Sequence, residues 1–400
     1  MQKLILEDEQ CQEHPRKEGA EMVVECSASY RRQKLKILSL EDVLKERVIP
    51  FLPAKTICRC RAVCKSWNKW ITSPFFAHSQ SQHFKRISGL LCQAPSQTSY
   101  FISFNRTAYG MPDHQLSFLP EPVTIRTACN GLICCQSRLL DSAFYICNPA
   151  TKEWRLLPEP VLPHCSILAM ALAFEPSALN FTHHFELVCA FHETGQMIYF
   201  VIYSSRSDSW KISTTACCDL NPSSLTRDGI FLKGMVYWET SSRAVLAFDM
   251  KDEHYGVLPL PATSGIHGVL TVMHGELHYV LPHTQGNLLV MEIYGGWDMS
   301  LKRRVIFHSE LVPNSIGVLR ALASPNDNLL IILLGFRVCA LHLKNRMVEI
   351  ISFNEYNDNL ARYLPYVNSL VPLARPLEDK YEPLRDKKSE NLESYFEDED

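Results

Sequence analysis

The chain has 400 residues, of which 46% are hydrophobic and 21% charged, with a formal net charge of -3. These are globular values, with room for one large domain and a small one. A balance this close to neutral excludes a protein held on nucleic acid by a basic surface. No apolar run approaches the roughly 18 residues of a membrane helix, since the longest, Leu329–Phe336, has the length of a strand. Acids and bases interrupt Met1–Gly19, so no secretory leader is read there. The expectation is a soluble protein of the nucleus or cytoplasm with no nucleic-acid or membrane partner. In such a reducing compartment the fifteen scattered cysteines read as free, buried thiols. Cys58, Cys60 and Cys64, with His78 and His83 downstream, match no zinc-finger spacing, so no metal and no cofactor is expected.

Residues 1–36 read as a flexible polar arm that ends in the basic cluster Tyr30–Lys36. A small helical domain follows over 37–84. Ser39-Leu40-Glu41-Asp42 has the form of a capping box, opening a helix through Val43, Leu44 and Val48. Pro50 disfavours helical geometry at Ile49, so this helix kinks or stops there. Ile57, Cys60, Cys64, Trp67 and Ile71 are spaced 3, 4, 3, 4, which predicts one continuous second helix with Val63 and Trp70 on another face. Ser73-Pro74 reads as an N-cap and first helical residue of a third helix anchored by Phe75 and Phe76. A domain this small, apolar on more than one side, packs its extra face on the next domain or on a partner helix.

The segments Leu38–Leu44, Phe51–Ile57, Arg61–Trp67 and Ile71–Phe76 together resemble an F-box, most specifically in Arg61-Ala62-Val63-Cys64-Lys65-Ser66-Trp67 following Leu52-Pro53. The resemblance implies a three-helix module that docks a Skp-type adaptor and, through it, a cullin. It gives Leu38, Val43, Leu44, Ile49, Leu52, Pro53, Ile57, Val63, Cys64 and Trp67 roles at the adaptor interface or in the F-box core. Two features depart from the family pattern. Ser39 stands where Pro is usual, and one extra residue lies between Glu46 and Leu52, leaving open whether Val48 or Ile49 faces the partner.

From 85 to 373 the chain repeats. A turn followed by an apolar strand recurs at Gly89–Cys92, Asn130–Cys134, His184–Val188, Gly234–Trp238, Gly275–Tyr279 and Asn328–Ile332. The spacing is that of propeller blades. A second strand, a polar turn and often an aromatic follow. Phe144–Asn148 leads to Trp154, Tyr199–Tyr203 to Trp210, Val245–Asp249 to Tyr255, with weaker copies at Leu288–Ile293 and Val338–Leu343. Strands covered on both faces are apolar, and an aromatic at a fixed offset fills the wedge between blades. The expected fold is mainly β: a β-propeller of six counted blades, with seven open. Cys129–Cys134, Asn148–Trp154 and Asn368-Ser369-Leu370 resemble the F-box-associated, kelch-type propeller of plant F-box proteins. The remainder, 374–400, reads as a disordered acidic tail.

Catalytic signals are weak. His274, His278 and His283 sit on a turn and a strand rather than in a His-Glu-x-x-His helix, and read as ordinary loop and strand histidines. Ser207-Asp208-Ser209-Trp210 reads as a turn ending in a blade-packing Trp. No nucleophile elbow, P-loop or dinucleotide fingerprint occurs. The resemblance therefore implies a non-catalytic substrate adaptor of a ubiquitin ligase, with an unidentified target protein on the propeller. The alternatives are a propeller enzyme or small-ligand binder, and an F-box protein that acts outside a ligase as a regulatory scaffold. Candidate target-binding loops are Arg106–Gln115, Glu175–His184, Asn221–Arg227 and His283–Asn287, with their faces unassigned.

Overall fold

A computed structural model describes residues 39–373, apart from 84–86, 95–97, 105–110, 141, 161–166, 178–179, 181, 193–196, 262–267, 287, 309–318, 324–325 and 354–360. The expected N-terminal arm, Leu38 and the acidic tail lie outside the described residues.

The helical domain opens with the predicted capping box. Ser39 Oγ accepts the Asp42 N–H at 3.1 Å, and the Asp42 carboxylate accepts the Ser39 N–H at 3.2 Å. α1 (Leu40–Val43) runs into a turn of π-helix over Leu44–Val48, then a 3-10 turn over Ile49–Phe51 that contains Pro50. A π turn is how a helix absorbs one added residue without losing its flanks, and this one lies where the sequence carries its extra residue. Its outcome is that Ile49 is buried and Val48 exposed.

The continuous second helix does not form. Its span is divided between α2 (Ala54–Cys60) and α3 (Lys65–Ile71). The Ala62 and Val63 N–H groups bond three residues back, to Arg59 and Cys60 carbonyls. Cys64 is extended and becomes the N-cap of α3, its sulfur accepting the Trp67 N–H at 3.4 Å. Arg61 Nε donates to Asn68 Oδ1 across the break. The stripe still buries where its spacing implied, because Ile57 and Ile71 meet Ile49 and Phe76 in one core with Cys60 and Trp67 at its edge. α4 (Pro74–His83) starts as predicted, with Ser73 Oγ accepting the Phe76 N–H.

The β region is a closed ring of six blades. β1 (Gly89–Gln93) and β2 (Tyr100–Ser103) leave the helical domain first. Blade 1 is β3 (Val123–Cys129), β4 (Leu132–Ser137), β5 (Phe144–Asn148) and β6 (Glu153–Leu156). Blade 2 is β7 (Ile167–Ala173), β8 (Glu186–Phe191), β9 (Ile198–Ser204) and β10 (Ser209–Cys217). Blade 3 is β11 (Leu225–Leu232), β12 (Met235–Thr240), β13 (Ala244–Asp249) and β14 (His254–Pro259). Blade 4 is β15 (Val269–Met273), β16 (Glu276–Gln285), β17 (Leu288–Gly295) and β18 (Ser300–His308). Blade 5 is β19 (Leu319–Leu322), β20 (Leu329–Leu334), β21 (Arg337–His342) and β22 (Val348–Phe353). β23 (Arg362–Tyr366) returns to pair with β1, in the order β2-β1-β23, and closes the ring as blade 6. No seventh set of strands occurs among the described residues.

Each blade is an antiparallel meander, and β7 and β11 meet in parallel through Met170 and Asp228, so these first strands run the same way. The apolar cores lie between adjacent blades rather than within them: 1 with 2, 2 with 3, 3 with 4, 4 with 5, 5 with 6 and 6 with 1. That is why strands two and three of a blade are nearly continuous apolar runs. The aromatic wedge is present. Trp154 packs in the core shared with blade 6, Trp210 on blade 1, and Tyr255 in the core shared with blade 2. Trp210 also donates its indole N–H to the Pro158 carbonyl. A single left-handed residue sits two places before each of these: Lys152, Asp208 and Glu253. Met299 and Arg346 hold the same place in blades 4 and 5, followed by Leu301 and Val348 in place of an aromatic.

Candidate functional site

Alternation of strand direction assigns the loops to faces. Connections between strands one and two, and between three and four, of every blade lie at one end of the ring. The helical domain is attached at this same end, since α4 leads into β1 beside the end of β23, where the Ser88 N–H meets the Tyr366 carbonyl. Of the candidate loops, Glu175–His184 joins β7 to β8 and lies on this face, where His183 meets His78 of α4 with ring centroids 5.7 Å apart. Burial lowers the pKa of both imidazoles, that of His183 to about 4, so this contact is between neutral rings. The loops Asn221–Arg227 and His283–Asn287 lie at the opposite end, whereas the connection from β2 to β3 leaves beside Ser88 at the helical-domain end, and residues 106–110 of the candidate loop Arg106–Gln115 fall outside the described set.

After β23 the chain crosses beneath blade 1 as an irregular strap, 367–373. The Asn148 amide donates to the Ser369 carbonyl at 2.9 Å and the Val371 carbonyl at 2.7 Å, and Glu153 accepts the Leu373 N–H at 2.8 Å. On its other side the strap holds the helical domain. Gln80 of α4 accepts the Leu370 N–H, and the Leu370 side chain packs against the helical core.

The helical domain keeps a surface for a partner despite this docking. Leu40, Val48, Phe51, Val63 and Phe75 are exposed, five of the fifteen exposed large hydrophobics among the described residues, in about a sixth of those residues. Val63 and Phe75 are 64% and 66% exposed. The residues assigned to an adaptor interface or F-box core separate accordingly. Ile49, Pro53 and Ile57 are buried in the module's own core, whereas Val43, Leu44, Leu52 and Trp67 are half-buried at its edge. Val63 and Cys64 are exposed. Cys58, Cys64 and Cys218 thus depart from the expectation of buried thiols: Cys58 lies on the outer side of α2, Cys64 is turned outward by the break between α2 and α3, and Cys218 directly follows β10. Seven others, among them Cys134, Cys147 and Cys189, are buried and free.

A central channel of about 950 Å³ is lined by the first strand of most blades and opens beside His83, Asn130 and Lys233. Asp228 of its lining pairs with Arg362 at 3.4 Å, and Arg320 shares the channel with Glu239, which accepts the Tyr279 hydroxyl. Burial pushes the Glu239 carboxyl up to about 7, against the opposing pull of Tyr279 and Arg320. A carboxyl with a folded pKa above its unfolded one binds more protons when folded, so its contribution is present below the unfolded value and is lost as pH rises through 7. Glu239→Gln removes the ionisation. The variant is therefore expected to melt higher than wild type at pH 8, by a margin that narrows as pH falls through 7 and closes only near pH 4, read by thermal melts across that range. Among the described residues no group of three or more metal-ligating side chains converges, and no helix is long and apolar enough to cross a membrane. His274 sits on the β15–β16 turn beside Asp327, and His278 and His283 lie on β16.

Comparison with known proteins agrees with both halves of this architecture. Residues 37–79 match the F-box domain, and residues 66–297 match the F-box associated beta propeller domain. Similar curated proteins include three from Arabidopsis thaliana, of which F-box protein At5g07610 is 28% identical over 64% of this chain and 64% of its own length. F-box protein At5g49610 is 26% identical over 54% of this chain and 62% of its own length. Putative F-box/kelch-repeat protein At3g22730 is 25% identical over 64% of this chain and 71% of its own length. The chain thus spans less than two thirds of the length of the first two.

Proposed function

Because the chain belongs to the family of F-box proteins that carry an F-box-associated β-propeller, we propose that it is the substrate-recognition subunit of a Skp–cullin–F-box ubiquitin ligase. The observation that carries the reading is the exposed apolar surface of the helical domain, Val63 and Phe75 above all, next to a core that is already complete. Isolated exposed side chains are ordinary, but their concentration in so small a module marks an interaction surface. In this reading a Skp-type adaptor covers that surface and brings the cullin with it, while the propeller holds a target protein. F-box proteins are in general non-catalytic adaptors, and the contribution of this chain is proximity and orientation of target lysines to a charged conjugating enzyme. The strap and α4 suit that role, because they hold the two domains at a set angle. The reading carries with it a nuclear or cytoplasmic location, checked by imaging a fluorescent fusion.

The test is co-expression of the chain with a Skp-type adaptor and a cullin, followed by purification through a tag on this chain. Recovery of both partners in stoichiometric amount is expected. Recovery of neither removes the ligase reading, and recovery of the adaptor without cullin would favour a regulatory scaffold outside a ligase.

A further inference from the structure

Blades 4 and 5 carry a surface that neither the F-box nor the propeller fold requires. Trp297, in the β17–β18 turn, is 85% exposed, the most exposed large hydrophobic among the described residues. Two places after the left-handed Met299, Leu301 occupies the position that holds a wedge aromatic in blades 1–3, yet it is half out in solvent. Met299 is buried instead in the core between blades 3 and 4. The Lys302 side chain folds back over Gly296, next to Trp297, and its ammonium donates to Ser300 Oγ at 2.7 Å. Arg303 reaches across to the Leu343 carbonyl of blade 5 at 3.2 Å. This joins the patch to the β21–β22 turn, where Lys344, Arg346 and Met347 are all exposed. Of the nearby acids, Asp298 caps the Ser300 N–H and also faces Lys302, Glu292 pairs with Arg304, and Glu349 meets His342, which leaves Lys344 and Arg346 as the patch's other cations.

A charged outer strand is commonly a guard against edge-to-edge pairing. Guarding does not call for an exposed Trp, Leu and Met among the cations, whereas aromatics and arginines together are the composition of binding hot spots. The cations select an acidic partner, in a chain whose net charge is -3. One segment of this chain has the matching chemistry. Ser389–Asp400 holds six acids and no base, with Tyr395-Phe396 in its midst. The strap reaches Leu373 beside Glu153, where β6 leaves the β5–β6 turn, on the same face as Trp297. Blades 1 and 4 are opposite each other in the ring. The fifteen residues 374–388 span up to about 50 Å when extended. Two four-stranded blades at about 4.8 Å per strand occupy roughly 30 Å, besides the channel between them.

We propose that Ser389–Asp400 docks on this patch, Tyr395 and Phe396 against Trp297 and Met347, and the carboxylates against Lys302, Lys344 and Arg346. An external acidic, aromatic segment then reaches the same surface only by displacing the tail.

The experiment uses the chain ending at Lys388, the full chain, and a synthetic Ser389–Asp400 peptide carrying a fluorophore. The peptide is expected to bind the shortened chain, and to lose affinity about tenfold or more when salt rises from low to several hundred millimolar. Binding to a Lys302→Glu, Lys344→Glu variant of the shortened chain, and to the full chain, is expected to be at least about tenfold weaker, the loss typical of reversed charge and of a tethered competitor. No binding to the shortened chain overturns the proposal. So does equal binding to the full chain, which would leave the patch open to another protein, or equal binding to the charge-reversed variant. Should the shortened chain fail to fold, a full chain with Glu397→Gln, Asp398→Asn, Glu399→Gln and Asp400→Asn takes its place and is expected to bind the peptide more tightly than the unaltered full chain.

Discussion

Asn148→Ala is expected to detach the strap and lower the stability of the whole molecule. The Asn148 side chain is fully buried, and each of its polar atoms is used: two donated hydrogen bonds to strap carbonyls, and one accepted from the Ala150 N–H. Alanine leaves two buried carbonyls and one amide without partners, at a cost of about 1 kcal/mol or more each, so a loss of about 3 kcal/mol is expected. For a domain of this size that lowers the melting temperature by roughly 5–10 °C. The effect should reach the helical domain, because Leu370 completes its core and Gln80 holds the Leu370 N–H. Gly131→Ala tests the same contact from the other side. Gly131 has φ +94°, and an added Cβ would stand 2.4 Å from Ser369 Cβ. Both variants should show early proteolysis at the strap alongside the lower melting temperature. A melting temperature within a degree of wild type in both would mean that the strap only rests on blade 1.

Much of the propeller was legible in the sequence, and the parts that were not share a cause. The six recurring turn-and-strand units correspond to β1, β4, β8, β12, β16 and β20, the second strand of each blade, and the second recurring feature to β5, β9, β13, β17 and β21, the third. These lie mid-blade with neighbouring blades over both faces, so they are largely apolar, as in the all-buried Phe144–Asn148. Most of the first strands escaped notice because one side of each meets the channel. β11 reads Leu-Thr-Arg-Asp-Gly-Ile-Phe-Leu, with Asp228 and Gly229 in mid-strand where the channel needs a charge and close approach. The outer strands are too exposed to stand out, as in the mostly exposed β14. In the helical domain, spacing identified the buried stripe but not the break at Cys64, since two short helices whose apolar residues converge satisfy the same 3, 4 pattern as one long helix. The strap shows a different limit. Asn148-Pro149 reads locally as a turn, but its partner carbonyls lie more than 220 residues away, and no local signal links Leu370 to the helical core.

The separation of surface from core in the helical domain makes the adaptor reading sharper than the sequence allowed. Leu52 and Trp67 are half-buried and contact the domain's own core, so changing them would weaken fold and binding together. Val63 is different. It lies in the exposed turn between α2 and α3, 64% accessible and absent from the core. Val63→Asp should change stability by no more than about 0.5 kcal/mol, as for other surface substitutions. Placed under a partner's apolar surface, the same carboxylate is desolvated without a counter-ion. That costs about 2–4 kcal/mol of binding, a loss of roughly thirty-fold to a thousand-fold in affinity for a Skp-type adaptor. Ile57→Asp supplies the contrast. Ile57 is wholly buried between Ile49, Ile71 and Phe76, so an unpaired charge there unfolds the helical domain, while the inter-blade cores of the propeller remain. Calorimetry and titration with a Skp-type adaptor separate the two outcomes. Val63→Asp should leave the melting profile unchanged and lose the adaptor, and Ile57→Asp should lose both the adaptor and the helical part of the unfolding signal. Wild-type affinity in Val63→Asp would place the adaptor elsewhere on the helical domain, leaving the exposed Phe75 on α4 as the next residue to change.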